Sequence, residues 1–309
     1  MLTLCGLTRR YGSLTAVDDV SLRLPAGARH AVIGPNGAGK TTLLNLIAGT
    51  ERADSGRILL AAADRSVGAG GAGGADGAGG TDGAGGAGHP DGVPAPPDTD
   101  ITRVAAARRS RLGIARSYQQ PSVIAGLSVV DNIVLAGWRH HPPGRAAWRR
   151  PSRRRRLREF AMDRLEAVGL AGVADQPAGG LPHGRRRMLD LAAALAGQPR
   201  LLLLDEPAAG LTDRDIGRLV GLLRDIPEQV ALLLVEHHIE VVTELADTVT
   251  VLAAGRVLVS GSTHEALSDP EVREIYLDTV PASVEAPARS GPAAVPARED
   301  DHGCSNSPD

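Results

Sequence analysis

Short apolar runs alternate with stretches of helical periodicity along this chain. Ala28–Ile33 (ARHAVI) predicts a strand, and Thr41–Ala48 (TTLLNLIA) predicts a helix that stops at Gly49. Leu201–Leu204 is four leucines, too short for periodicity alone to assign. It runs into Asp-Glu-Pro, which cannot continue a helix, so a strand is expected. From Ile216 the apolar residues recur at Leu219, Val220 and Leu223, an amphipathic helical spacing. Val230–Val235 is apolar without a break, as a parallel strand buried on both faces should be. Val249–Leu252 and Val257–Ser260 flank Ala-Gly-Arg and predict a hairpin. Strands alternating with helices indicate an α/β domain with a mainly parallel sheet.

Three segments break this pattern. Residues 66–97 repeat GAGG at Gly68, Gly77 and Gly83 and have few side chains to bury, so a flexible insertion is expected. Arg139–Arg158 is dense in arginine; a basic patch for RNA or anionic lipid competes with a solvated face balanced by Glu159, Asp163 and Glu166. The favoured reading is the solvated face. From about residue 280 the chain is rich in Pro, Ala, Ser and Glu, and a disordered tail over 280–309 is expected.

Composition narrows the class. Over 309 residues, 42% are apolar but only 2% aromatic, so the core must be aliphatic. No apolar run approaches the roughly 18 residues that span a bilayer, and the N-terminus does not read as a secretory signal. Cys5 and Cys304 lie at opposite ends and build neither a disulfide framework nor a metal site. A formal charge of -2 argues against a dedicated nucleic-acid binder, and no nucleic-acid partner is expected.

Two motifs carry chemistry. GPNGAGKT fits G-x-x-x-x-G-K-[ST] between an expected strand and an expected helix, the context the motif needs. Gly34, Pro35, Asn36, Gly37, Ala38, Gly39, Lys40, Thr41 and Thr42 are therefore the candidate phosphate cradle. Its glycines let backbone N–H groups turn inward, and a helix start adds positive potential. Lys40 is a cation for β- and γ-phosphates, and the Thr41 hydroxyl is a ligand for Mg²⁺. LLLLDEP then delivers Asp205 to a strand end, where it can hold Mg²⁺, with Glu206 beside it to orient and activate an attacking water.

With these motifs the chain resembles the ATP-binding subunits of ABC transporters over residues 2–279. The resemblance implies an ABC-type P-loop NTPase: a mainly parallel core sheet, a small antiparallel β subdomain, and a helical subdomain over about 120–195. It implies a Mg²⁺-dependent ATPase at the cytoplasmic face of the plasma membrane. Tyr11 looks like the aromatic that stacks on adenine. Gln119 looks like the glutamine that reaches Mg²⁺ and the attacking water, and His237 like the switch histidine. His238 stands where the family usually has Asp, and Thr212 where many members carry another aspartate.

Leu181, Pro182, His183, Gly184 and Arg185 occupy the place of the signature LSGGQ, which in the family caps the ATP of a second subunit packed head to tail. Pro182 removes the serine hydroxyl and a backbone donor; the rest of a helix expected from Arg185, with His183 or Arg185, would take over the phosphate contact. The implied partners are a second ATPase subunit, identical or paralogous, separate membrane permease subunits and, indirectly, a solute-binding protein. LGIARSYQ, DEPAAGL, VEHH and SDPEVREIYL resemble importers of branched-chain amino acids; QPSV and GLTD also resemble urea or short-chain amide relatives. A soluble ABC ATPase outside transport and an ATP-binding regulatory module remain as other classes.

Overall fold

The computed structural model describes residues 1–61, 98–118, 120–138 and 151–276. The expectations for the glycine-rich insertion, Gln119, the arginines at 139–150 and the tail fall outside those residues.

Among the described residues ten strands form two sheets: β1 (Leu2–Tyr11), β2 (Leu14–Leu24), β3 (Arg29–Ile33), β4 (Ser55–Leu60), β5 (Thr99–Asp100), β6 (Ile114–Ser117), β7 (Leu201–Asp205), β8 (Ala231–Val235), β9 (Thr248–Ala253) and β10 (Arg256–Ser262). The helices are α1 (Lys40–Ala48), α2 (Ala106–Arg111), α3 (Val129–Gly137), α4 (Pro151–Ala167), α5 (His183–Ala196), α6 (Asp213–Arg224), α7 (Ile239–Leu245), α8 (Thr263–Ser268) and α9 (Pro270–Tyr276).

The larger sheet runs β10-β9-β3-β8-β7-β6, parallel from β9 to β6, with β10 antiparallel at one edge. The smaller runs β2-β1-β4-β5, all antiparallel. The expected mainly parallel core sheet and small antiparallel sheet are both present. The 120–195 stretch holds α3, α4 and α5, and the one strand contact there among the described residues is an isolated bridge from Ser128 to Pro177.

The leucine run explains how the layers join. Leu202 and Leu204 face one core, with α3, α5 and α6; Leu201 and Leu203 face the other, with α1 and the smaller sheet. β8 splits likewise, Leu232 and Leu234 to one side and Ala231, Leu233 and Val235 to the other. A third apolar cluster packs Ala31 and Ile33 against α7, α8 and α9. All these strand residues are buried, which is why the runs lack polar alternation.

Two helix starts differ from expectation. α5 begins at His183, not Arg185, with Pro182 as its N-cap. Pro182 lacks an N–H, but its carbonyl accepts the Arg186 N–H at 3.0 Å, so the first turn closes earlier. α6 begins at Asp213, before the first periodic apolar residue, because Thr212 caps it: its hydroxyl accepts the Asp215 N–H at 3.3 Å.

The described part of the arginine run favours the solvated face. Arg155 bonds Glu159 at 2.8 Å and Arg158 bonds Asp175 at 2.7 Å, all four side chains at least half exposed.

Candidate functional site: a phosphate loop beside a carboxylate turn

The order β3-β8-β7 places three loop beginnings side by side at one sheet edge. β3 opens into the phosphate loop, β8 into Glu236–His238, and β7 ends on Asp205. Parallel strands put these at the carboxyl end of the sheet, where open α/β sheets bind ligands.

The phosphate loop is shaped by close backbone approaches. Gly34 has φ 151°, and a Cβ there would sit 2.2 Å from the Leu252 carbonyl oxygen; at Gly39, φ 96°, it would sit 2.0 Å from that of Ala16. Neither site admits a side chain, so the loop can pass between β2 and β9. Gly37 (φ 81°) faces open space. Ala38 donates to the Pro35 carbonyl at 3.2 Å, and its own carbonyl accepts from Gly255 at 3.2 Å. Lys40 opens α1 and folds back over the loop, donating to the carbonyls of Gly34 at 2.6 Å and Pro35 at 2.9 Å. Its burial lowers the ammonium pKa, against the opposing pull of Glu206 and Asp205. Thr42 follows Lys40 and Thr41 in the first turn of α1.

Thr41 and Asp205 meet: the hydroxyl donates to one carboxylate oxygen at 3.3 Å. Asp205 is 1% exposed. A buried carboxylate beside a hydroxyl is an oxygen-only donor set that suits a hard cation such as Mg²⁺. Glu206 lies next along the chain at φ 46°, a left-handed conformation costing about 1–3 kcal/mol in a non-glycine residue. It is fixed there from both sides, its N–H donating to the Val235 carbonyl at 2.8 Å and its carbonyl accepting from Arg187 at 2.7 Å.

Four residues the sequence reading passed over organise this edge. Arg116 on β6 bonds the second oxygen of Asp205 at 3.0 Å. Arg187, the last of three consecutive arginines that begin at Arg185, is 2% exposed and turns inward instead of lining the helix start. It donates to the carbonyls of Tyr118, Asp205, Glu206 and Pro207, tying α5 to the carboxylate turn. One turn later Asp190 accepts from the Ser117 hydroxyl at 2.5 Å and the Ser122 N–H at 2.9 Å, and burial raises its pKa. Thus α5 holds both Ser117 and Ser122. Glu236, fully buried, accepts backbone N–H groups from Ala208 at 2.8 Å, His237 at 3.0 Å and His238 at 3.3 Å. Glu236, His237 and His238 have ligand atoms within 4.8 Å of one another. The buried carboxylate is already engaged by backbone donors, so it acts as a clamp on the turn. An inward Arg187 shows as a charge at helical spacing with apolar Leu191, and Arg116 as a charge alternating with apolar Ile114.

Tyr11 ends β1, and its neighbour strand carries Ala16, which touches the phosphate loop. Tyr11 is 41% exposed; one ring face carries the Arg9 guanidinium at 4.7 Å, and its hydroxyl bonds Glu51. His237 has half its side chain exposed. Leu181 is buried in the helical core, whereas Pro182 and His183 are exposed at the start of α5 and Arg185 is exposed two residues beyond His183. Gly184 packs within its own chain, a Cβ there meeting Leu211 and Asp215 at 3.4 Å.

The ABC transporter family model matches residues 17–76 and 88–209. The ribose import ATP-binding protein RbsA 1 of Mesorhizobium japonicum is 33% identical over 94% of this chain; the alignment covers 48% of that protein, so the chain spans about half its length. The high-affinity branched-chain amino acid transport ATP-binding protein BraF of Pseudomonas aeruginosa is 30% identical, over 90% of this chain and 97% of that protein. A crystal structure of a nucleotide-free ATP-binding cassette from an ABC transporter is 25% identical with a TM-score of 0.65, covering 89% of this chain and 98% of that one. The family match, the relatives and the sheet edge agree: the chain belongs to the ATP-binding cassettes of ABC transporters.

Proposed function

We propose that this chain hydrolyses ATP with Mg²⁺ to power import of branched-chain amino acids through separate membrane subunits. The observation that carries the ATPase reading is the shared sheet edge of Lys40, Thr41, Asp205 and Glu206. Backbone N–H groups at the start of α1 and the Lys40 ammonium bind the β- and γ-phosphates. Thr41 and Asp205 would hold Mg²⁺, which when bound neutralises charge on the phosphate oxygens. Glu206, fixed in its strained turn, takes a proton as water attacks the γ-phosphorus and the bond to ADP breaks. By the family resemblance, His237 would contact the γ-phosphate, Gln119 would serve Mg²⁺ and the water, and Tyr11 would stack on adenine. Leu181, Pro182, His183, Gly184 and Arg185 form the start of α5 that caps the ATP of a second subunit, identical or paralogous.

Membrane subunits would dock in a groove of about 410 Å³ lined by Ala106, Ala107, Tyr118, Ala136, Ala193 and Ala194. Arg116 lines the same groove, so a docked segment would touch the strand that reaches Asp205. Among the described residues no helix is long and apolar enough to cross a membrane, which suits separate membrane subunits. The near end-to-end match to BraF supports the solute class; a ribose-type sugar is the second reading, supported by the match to RbsA 1.

Glu206→Gln should lower ATP turnover about 100- to 1,000-fold while leaving ATP bound. Size-exclusion chromatography should then show an ATP-dependent dimer; undiminished turnover would move the base elsewhere. With membrane partners reconstituted in vesicles, leucine should stimulate turnover, and stimulation by ribose or urea instead would replace the solute assignment.

A further inference from the structure

We propose that Arg116 is a built-in counter-cation for Asp205, one that the metal must displace before it reaches the carboxylate. The inference rests on the reading above that Asp205 holds Mg²⁺.

β6 pairs with β7 in parallel register, Arg116 opposite Leu203 and Ser117 opposite Leu204. Strand alternation puts Arg116 on the same face as Ile114, the face packed against α1. α1 carries both Thr41 and Asn45, one helical turn apart. The Arg116 guanidinium therefore enters the space between α1 and β7. There it donates to the second oxygen of Asp205 at 3.0 Å and to the Asn45 side-chain carbonyl. The first oxygen of Asp205 accepts from Thr41. The ion pair is enclosed, with side chains 6% and 1% exposed.

Enclosure makes the pairing consequential. An ionised carboxylate that has lost water is costly unless a charge or hydrogen bonds replace it. Arg116 supplies that charge from within the chain, so the nucleotide's phosphates meet a neutralised Asp205. Two further features suit a cation that leaves. Among the described residues its Nε is buried without a hydrogen-bond partner, so the fork is incompletely satisfied there. Its guanidinium also stacks over the Tyr118 ring at 4.7 Å, a site it can keep after Asp205 lets go. The exchange is one cation for another at a single carboxylate, with no bond made or broken.

The test is binding of the fluorescent nucleotide mant-ATP to the full chain, in EDTA and in Mg²⁺. Wild type should bind without metal. Arg116→Gln should weaken metal-free binding by about tenfold or more, while binding in saturating Mg²⁺ stays within about threefold. Half-saturation at fixed mant-ATP should then fall at lower Mg²⁺ than in wild type. Arg116→Lys should restore most of the metal-free affinity. The double variant Arg116→Gln/Asp205→Asn removes both charges, so it should fold even if the single variant does not. It should bind metal-free mant-ATP within about threefold of wild type, since neither charge is left to oppose phosphate. Equal weakening with and without Mg²⁺ would overturn the proposal, and so would metal-free binding lost in the double variant, because Arg116 would then contact phosphate itself. Absence of any mant-ATP binding by the wild type would overturn the ATP-binding reading, and this inference with it.

Discussion

The phosphate loop and the start of α5 are both proposed to grip phosphate with backbone N–H groups, yet they are built in opposite ways. The loop depends on residues that cannot be exchanged: Gly34 and Gly39 pass so close to the Leu252 and Ala16 carbonyls that any Cβ collides. The start of α5 depends on a shape that many residues can adopt. Proline sits at its N-cap without breaking it, and what fixes the helix lies farther along, in Arg187 and Asp190. Backbone-limited sites keep their motif, whereas helix starts anchored from behind can change theirs.

The sharpest way to break this contrast is Gly39→Val. A Cβ 2.0 Å from a carbonyl oxygen cannot be accommodated by rotamer change. Mant-ATP affinity should fall more than about 100-fold, and near wild-type binding would show the loop to be far softer than argued.

His30 tests the strand leading into that loop. Its ring bonds Thr250 at 2.8 Å, and burial lowers its pKa to about 4. The depressed value means that the unfolded chain takes up the proton first as pH falls. The stabilisation is full above the ordinary value near 6.5 and is lost as pH drops through about 4. It amounts to at most about 3 kcal/mol. His30→Val should flatten the urea-unfolding stability between these two pH values, and an unchanged slope would contradict the assignment.

Arg187→Met tests the anchor of α5. Turnover should drop about 10- to 100-fold, since Glu206 loses a carbonyl contact, while mant-ATP affinity stays within about twofold. Arg187→Lys should recover part of the rate, and parallel losses of rate and affinity would make Arg187 merely structural. The smallest effect belongs to Pro182→Ser. Restoring one neutral hydrogen bond, about 0.5–1.5 kcal/mol, should strengthen the ATP-dependent dimer about two- to tenfold by analytical ultracentrifugation. A weaker dimer would mean that the proline itself is the better cap.

What could be read from the sequence follows the same division. GPNGAGKT and LLLLDEP carry information because few residue types satisfy their geometry, so phosphate loop and carboxylate turn were visible at once. The parallel strands β7 and β8 were visible because burial on both faces removes polar alternation. β1 and β2 were not read individually: bulges at Leu4/Leu7, Leu7/Arg9 and Arg9/Arg10 interrupt the regular alternation. Arg116 and Arg187 were missed because their partners lie 89 and 19 residues away in Asp205 and Glu206. The local signals, helical spacing of Arg187 with Leu191 and alternation of Arg116 with Ile114, place each on an apolar face but do not show its distant partner.

The leucine strand has one more consequence, for anyone who would re-engineer this chain. β7 is a wall shared by two rooms, and residue parity decides which room an edit enters. Leu202→Ala or Leu204→Ala opens space on the helical side, Leu201→Ala or Leu203→Ala on the nucleotide side, each at about 2–5 kcal/mol. Because the same five residues end on Asp205, loosening either room also loosens the hinge post on which the carboxylate hangs.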